Sequence, residues 1–226
     1  MERRKLLATL GGIGAVGLAG CLSESRSADT DQSPSSPEQT QSPTAEHSTI
    51  QRHLSIVDQD SIADSHELRV HVELLESTTT NTQPATLRVS TTNEGPKRAI
   101  SVGTDGCDLF NRDRGGSKEP RGLWLYRVET MDAVDRKANK WVPAKSPEQP
   151  RVYSTYGCTP MEYESRESVS TEYGVWDDYQ VSGYLQPGTY RWEEEIHIWE
   201  DATATAREPS STTIKWGFSL AVEKPD

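Results

Sequence analysis

Apolar and polar residues alternate in six short runs between residues 68 and 222. The clearest alternation comes last, where large apolar residues stand at every second position and charged or small residues stand between them. A period of two is typical of β-strands with one buried face, and no run keeps the period of a helix. The six predicted strands cover residues 68–74, 87–89, 123–128, 169–175, 190–198 and 214–222.

Clusters of Asn, Gly and Pro separate these runs, and a seventh short run covers residues 98–103. Several short strands divided by turn residues are typical of two antiparallel sheets packed face to face. The sequence therefore predicts an all-β fold, an immunoglobulin-like antiparallel β-sandwich of about seven strands. We expect this domain to span residues 61–226. Tyr190, which follows Pro187-Gly188, is either a tyrosine corner or a core tyrosine after a plain turn.

The first 21 residues have the pattern of a lipoprotein signal peptide. Arg3 and Arg4 precede an apolar run over residues 6–20, which ends in Leu-Ala-Gly before Cys21. A basic start, an apolar run and small residues at the cleavage point define an export signal, and paired arginines favour twin-arginine export. An uncut membrane helix is the alternative, but the run is shorter than the about 20 residues of a membrane span. We expect cleavage before Cys21 and a lipid on its thiol.

Residues 22–60 are predicted to be a disordered tether between this anchor and the domain. Ser, Thr, Pro and Gln dominate its first part, and large apolar residues are scarce there. Such a segment buries too little apolar surface to offset its ordering entropy. About 30 residues of coil span about 30 Å, enough to hold a domain clear of lipid headgroups.

The charge balance limits the classes of partner. The chain has 24 basic and 35 acidic residues and a net charge of −11, and removal of residues 1–21 makes it more acidic. Nucleic acid needs a basic surface, so we expect no nucleic-acid partner. An acidic surface poor in lysine is typical of proteins kept soluble in high salt, although an ordinary acidic extracellular domain has the same composition.

Two cysteines remain once Cys21 carries a lipid. Cys107 and Cys158 are an even pair in an exported chain, where disulfides persist, so we predict that they form a disulfide. The alternative is two free thiols. A bridge would restrain the insertion at residues 131–156, whose apolar content we expect to be too low to hold it in place.

Three stretches of sequence resemble a known group of proteins. They are residues 167–178 (ESVSTEYGVWDD), the turn Pro187-Gly188-Thr189-Tyr190, and residues 87–95 (LRVSTTNEG). Over roughly residues 68–198 the chain resembles secreted lipoproteins of halophilic archaea that carry an immunoglobulin-like sandwich. More distantly it is similar to the intracellular proteinase inhibitor family. The resemblance implies the fold, and no inhibitory residue is carried over from it.

Several acidic residues could form a site, but each has a plainer interpretation. Asp58, Asp60 and Asp64 are either a cation site or a solvated face, and the sequence favours the second because it lacks the turn of a calcium loop. Asp177-Asp178 favours a turn. The Glu193-Glu194-Glu195 run places Glu194 on the apolar face of a strand, where it needs an exposed strand end, an arginine partner or a bulge.

The six tryptophans are numerous for this length. Trp192 and Trp216 are predicted to lie in the core. Trp124, Trp141 and Trp199 could face outward and form a sugar- or protein-binding surface. Covering by the loops at residues 111–119 and 131–156 is the alternative.

No catalytic residue, cofactor or metal ligand is predicted. The five histidines form no motif with a nucleophile, so we expect no enzymatic activity. The leading interpretation is a lipid-anchored domain on the extracellular side of the cell membrane that binds another protein or an envelope component. A cell-surface proteinase inhibitor and a ligand- or sugar-binding accessory lipoprotein of a transporter are the alternatives.

Overall fold

The computed structural model describes residues 48–153 and 158–225. Arg3, Arg4, Cys21 and the tether as far as residue 47 lie outside the described residues, so their predicted roles stay predictions. In the described part, no helix is long and apolar enough to cross a membrane.

Ten strands form most of the regular structure of the described chain, with one four-residue helix, α1 (Val128–Met131), and two 3-10 turns at Asp64–His66 and Arg112–Arg114. The predicted strands are all present, since each apolar run lies on one of them. The strands are β1 (Ile50–Gln59), β2 (Leu68–Glu76), β3 (Thr78–Thr80), β4 (Thr86–Asn93), β5 (Arg98–Ile100), β6 (Leu123–Arg127), β7 (Met161–Tyr163), β8 (Ser168–Asp177), β9 (Gly188–Trp199) and β10 (Thr212–Glu223).

The strands form two antiparallel sheets, which confirms the predicted all-β sandwich. The first sheet has the order β3-β1-β10-β9-β5-β7, and the second has the order β2-β4-β8-β6. One continuous core lies between them. In it, the rings of Trp192 and Phe218 stack with centroids 5.2 Å apart, and Trp216 is fully buried, as predicted for both tryptophans.

Strand β1 corrects the predicted boundary of the tether. Residues 50–59 were assigned to the tether, but they pair with β10 on one side and with β3 on the other. Leu54 is buried in the core, so this strand belongs to the folded domain. The shift in register between Ile56 and Asp58 interrupts the alternation of apolar residues, which is why the pattern is weak in the sequence.

The predicted disulfide is present, and the structure decides between the two alternatives for Tyr190. Cys107 and Cys158 form a disulfide with Cα atoms 5.5 Å apart, joining the segment after β5 to the segment before β7. The Tyr190 hydroxyl donates a 2.8 Å hydrogen bond to the Gln186 carbonyl, the geometry of a tyrosine corner. The disulfide joins two loops, and the tyrosine corner ties the turn before β9 to that strand.

Candidate functional site

A second group of aromatic side chains lies on the outer face of the four-stranded sheet, away from the main core. On β6, Leu123 and Leu125 point into the core, so Trp124 and Tyr126 project from the opposite face. Trp176 of β8 lies beside Tyr126, with ring centroids 5.0 Å apart. We call this group the outer aromatic cluster, and its members are Trp124, Tyr126, Trp141, Tyr153, Trp176 and Tyr179.

The segment 131–153 covers this cluster. Trp141 packs edge-on against Trp176, with centroids 5.3 Å apart, and its indole N–H donates a 2.7 Å hydrogen bond to the Thr80 carbonyl. The Arg136 guanidinium lies 4.1 Å from the Trp141 ring centroid. Trp141 and the adjacent Val142 are buried, which corrects the expectation that this insertion has too little apolar content to hold itself in place.

Arg151 anchors the far end of the same segment. Its guanidinium carbon lies 3.5 Å from the Trp124 ring centroid and 4.4 Å from that of Tyr179, so the cation is held between two aromatic faces. It also forms an ion pair with Asp178, whose side chain is only 2% exposed and which pairs with Arg121 at 3.3 Å. The buried carboxylate therefore meets two cations.

A pocket of about 350 Å³ opens between this anchor and the strand surface. A glycine makes its wall possible, because a Cβ on Gly116 would lie 2.5 Å from the Trp124 ring. The volume falls in the usual range for small-molecule sites. The charged and aromatic side chains that line it are Asp105, Phe110, Trp124, Tyr126, Arg127, Lys145, Arg151, Tyr153 and Tyr179, so three cations accompany one carboxylate.

The polar groups in this pocket differ in whether they have an ion-pair or hydrogen-bond partner. Arg127 lies 3.5 Å from the buried Asp108 carboxylate. Lys145 lies 5.7 Å from the Tyr179 ring centroid, and no carboxylate of the described residues lies within 4 Å of its ammonium group. The Tyr153 hydroxyl is buried and has no hydrogen-bond partner in the described chain. Burial raises the pKa of Tyr153 to about 12, so the hydroxyl keeps its proton and remains a donor.

The other predicted acidic sites are engaged in ion pairs. Arg191 pairs with Asp60 at 2.6 Å and with Asp58 at 3.7 Å, while Asp64 stands apart in the first turn of a 3-10 segment. No group of three or more His, Cys, Asp or Glu residues is placed to hold a metal within residues 48–153 and 158–225.

Glu194 has a partner that the sequence did not indicate. It lies opposite Trp216 in the β9–β10 ladder, and Lys118 reaches it at 2.8 Å from the loop before β6. A lysine therefore takes the place of the predicted arginine, strand end or bulge. Glu193 pairs with Lys215 at 2.5 Å, and Glu195 is exposed.

Asp177 and Asp178 do organise a turn, as predicted. Asp177 Oδ1 accepts a 2.7 Å hydrogen bond from the Leu185 N–H, and Asp178 Oδ1 accepts one of 3.0 Å from the Gln180 N–H. Sequence reasoning missed that Asp178 also holds Arg151 in place over Trp124. In the sequence, Arg151 is only a single arginine in a proline-rich loop, so no pattern there indicates its contact with Asp178.

Loops cover all three tryptophans that were candidates for an outward face. Trp124, Trp141 and Trp199 are between 6% and 9% exposed, which favours the covering alternative. Trp199 is covered by the turn between β9 and β10, where its indole N–H donates to the Glu208 carbonyl at 3.0 Å. That turn was not among the loops expected to do this.

Ser210, His197 and Glu195 are the residue types of a hydrolase triad, but they do not have the geometry of one. Ser210 Oγ lies 3.4 Å from His197 Nδ1, and Glu195 lies 3.9 Å from His197 Nε2. Thr213 Oγ1 is nearer to Nδ1, at 3.0 Å. A nucleophile and its base need hydrogen-bond contact of about 2.6–3.2 Å, and the orienting acid needs the same. These side chains are better described as a polar network on the outer face of the six-stranded sheet.

No family model, curated protein or solved structure matches the chain.

Proposed function

We propose that this chain is a non-catalytic binding domain, anchored by a lipid on Cys21 at the extracellular face of the cell membrane, which binds an envelope component. The pocket beside the outer aromatic cluster carries this proposal. The signal-peptide pattern and lipobox support the location, and the resemblance to lipoproteins of halophilic archaea agrees with it.

The chemistry of the pocket favours a sugar that bears an acidic group. Faces of Trp and Tyr side chains stack on the apolar faces of sugar rings, and polar groups among them fix orientation. Lys145 supplies a cation with no carboxylate of the described chain within 4 Å of it. A carboxylate or sulfate on the ligand would form an ion pair with this lysine.

The test is a binding titration of the full-length protein in detergent with acidic oligosaccharides released from the envelope of the producing cells. Tryptophan fluorescence reports on Trp124 in the wall of the pocket. Lys145→Ala should weaken binding about tenfold, because it removes a charge-assisted contact.

Lys140→Ala is the matched control. Lys140 also lies in the covering segment and over an aromatic ring, that of Tyr184 at 5.2 Å, but it does not line this pocket. Its substitution should leave the affinity unchanged. Equal binding by wild type and Lys145→Ala, or equally tight binding of neutral oligosaccharides, would contradict the proposal.

A further inference from the structure

Strand β2 is an edge strand whose outward backbone groups can be identified from the register of the sheet. Asn93 pairs with Leu68, yet the Asn93 N–H points to β8, where it donates to the Glu167 carbonyl at 2.9 Å. Leu68 and Asn93 therefore form a non-hydrogen-bonded pair. In an antiparallel ladder, the N–H and C=O groups of both residues of such a pair point away from the partner strand. The N–H and C=O of Leu68 therefore face the free edge, and those of Val70 do so as well.

Val72 is the next residue whose backbone groups face the free edge, and its N–H already has a hydrogen-bond partner there. The Val72 N–H donates a 3.2 Å hydrogen bond to Gln59 Oε1, on a side chain that reaches across from the end of β1. Within the described ranges, no backbone or side-chain group forms a hydrogen bond with the outward N–H or C=O groups of Leu68 or Val70. Both residues are more than nine-tenths buried, so their open backbone groups lie at the bottom of a slot.

A groove of about 310 Å³ runs along this part of the edge. Its floor includes Leu68 and Val70, and its opposite wall is the segment 59–64 that leads from β1 towards β2. Ile62 of that wall packs against the main core, and the Gln59 side chain ends the groove at Val72.

The charge around the groove is mainly negative. Asp60, Asp64 and Glu94 line it, against one arginine, Arg69, which already pairs with Glu94 at 3.0 Å. Asp60 is paired with Arg191, whereas Asp64 lies within 4 Å of no cation in the described chain. The wall side therefore offers a carboxylate without a partner.

We propose that the free edge of β2 at Leu68 and Val70 binds an extended, positively charged peptide segment of a partner protein by strand addition. The peptide backbone forms hydrogen bonds with the outward N–H and C=O groups of the two residues, and a basic side chain meets Asp64. Strand addition obtains affinity from main-chain hydrogen bonds and specificity from alternate side chains. This surface is separate from the aromatic pocket and does not depend on what that pocket binds.

The register determines which peptide residues face the wall. Residues directly opposite each other on paired strands project to the same face of the sheet. Val70 points into the core, on the side where Ile62 lies, so the peptide residue opposite Val70 also points to the wall. That residue is the one hydrogen-bonded to Val70, and it is where the basic side chain belongs.

The probe is the peptide acetyl-TKVKVKT-amide, titrated into the full-length protein in detergent and followed by amide hydrogen exchange. Bound peptide should slow exchange at Leu68 and Val70 and leave Arg69 unchanged, since the Arg69 amide faces β4. N-methylation of the three lysine nitrogens should weaken binding about tenfold or more, because it removes the bonding donors. N-methylation of the two valine nitrogens keeps the same charge and should have little effect.

Two substitutions separate the groove from general attraction to an acidic protein. Asp64→Lys should weaken binding about fivefold, as expected for an exposed ion pair replaced by repulsion. Asp113→Lys is the matched control, because Asp113 is an exposed acid in the first turn of the other 3-10 segment. It should bind as the wild type does.

The proposal is overturned if the peptide does not bind, if both N-methylated peptides bind alike, or if the two lysine variants lose affinity equally. The last two results would show that charge alone attracts the peptide. Loss of oligosaccharide binding in Lys145→Ala, with peptide binding intact, would leave this inference standing while testing the proposed function separately.

Discussion

Asp177 is a buried carboxylate whose pKa departs from that of a surface carboxylate. It is 5% exposed, and burial raises its pKa to about 7, with the neighbouring Asp178 charge adding to the shift and the hydrogen bond from Leu185 opposing it. Leu185 is fully buried at φ 40°, in the left-handed region that a branched side chain rarely adopts. The Asp177 carboxylate therefore helps to hold a strained residue in place.

This environment predicts a pH dependence of stability. Below pH 4 both the folded and the unfolded state protonate Asp177. Between about pH 4 and pH 7 the folded state keeps the proton that the unfolded state loses, so the free energy of unfolding falls as pH rises, by up to about 1.4 kcal/mol per pH unit. Above pH 7 this contribution is constant.

Asp177→Asn should remove that fall, because the Asn oxygen can still accept the Leu185 N–H while the side chain does not ionise. Denaturant unfolding at pH 5 and pH 8 measures the difference. The variant should be more stable than the wild type at pH 8, and by a larger margin than at pH 5. Asp132→Asn, at an exposed carboxylate, is the control and should follow the wild type. The same slope in all three proteins would contradict the assignment.

At the scale of elements, the segment 131–153 is held by two independent restraints. Trp141 packs on Trp176 and binds Thr80, while Arg151 joins Trp124, Tyr179 and the Asp178 carboxylate. The disulfide acts farther along, across a sequence separation of 51 residues. Packing therefore holds the middle of this segment, and the bridge limits the freedom of the unfolded chain.

Reduction should lower stability without releasing the covering segment. Closing a loop of this length stabilises by about 4 kcal/mol in the chain-entropy account, which corresponds to a fall in melting temperature of about 10 °C. Trypsin cleavage after Lys137, Lys140 and Lys145 should change little on reduction. It should rise instead in oxidised Trp141→Ala, whose anchor is gone.

Calorimetry with and without reductant, combined with limited trypsin digestion, distinguishes the two restraints. Rapid cleavage at these lysines in the reduced wild type would show that the bridge, and not Trp141, holds the segment. An unchanged melting temperature on reduction would show that the bridge does not stabilise the fold.

At the scale of the whole molecule, the proposed function depends on attachment through residues that lie outside the described part. The folded domain begins by residue 50, so the proposed cut before Cys21 would leave about 30 residues between the proposed lipid and the domain.

Cys21→Ser should move the protein from the membrane fraction to the medium, or leave a longer precursor, because a serine cannot form the thioether to lipid. Fractionation followed by mass measurement of the N-terminal fragment checks both outcomes. Serine at Cys107 together with Cys158 is the control, since it removes cysteines without touching the lipobox. Unchanged retention and unchanged mass in Cys21→Ser would rule out the anchor.

The strands follow from local sequence, because a period of two reports which side chains each strand buries. This is why β2, β4, β6, β8, β9 and β10 were predicted, while β5 was indicated only as a further short run. Strands β3 and β7, with three residues each, were not predicted. Strand β1 was not predicted for a different reason. A polar tract precedes it and a bulge breaks its alternation, so its membership of the sheet depends on pairing with β10, from the far end of the chain.

Composition and spacing by themselves determined the sandwich, the candidate anchor and the even pair of cysteines. The first two depend on patterns of neighbouring residues, and the third depends on the number of cysteines. Only the tertiary structure decided the two proposed binding surfaces. The pocket joins Trp124 of β6, Arg151 of a distant loop and Tyr179 beyond β8, which become neighbours only when the sheet brings their segments together. The β2 groove likewise exists because β2 forms the edge of its sheet, and strand order follows from long-range pairing that no local pattern encodes.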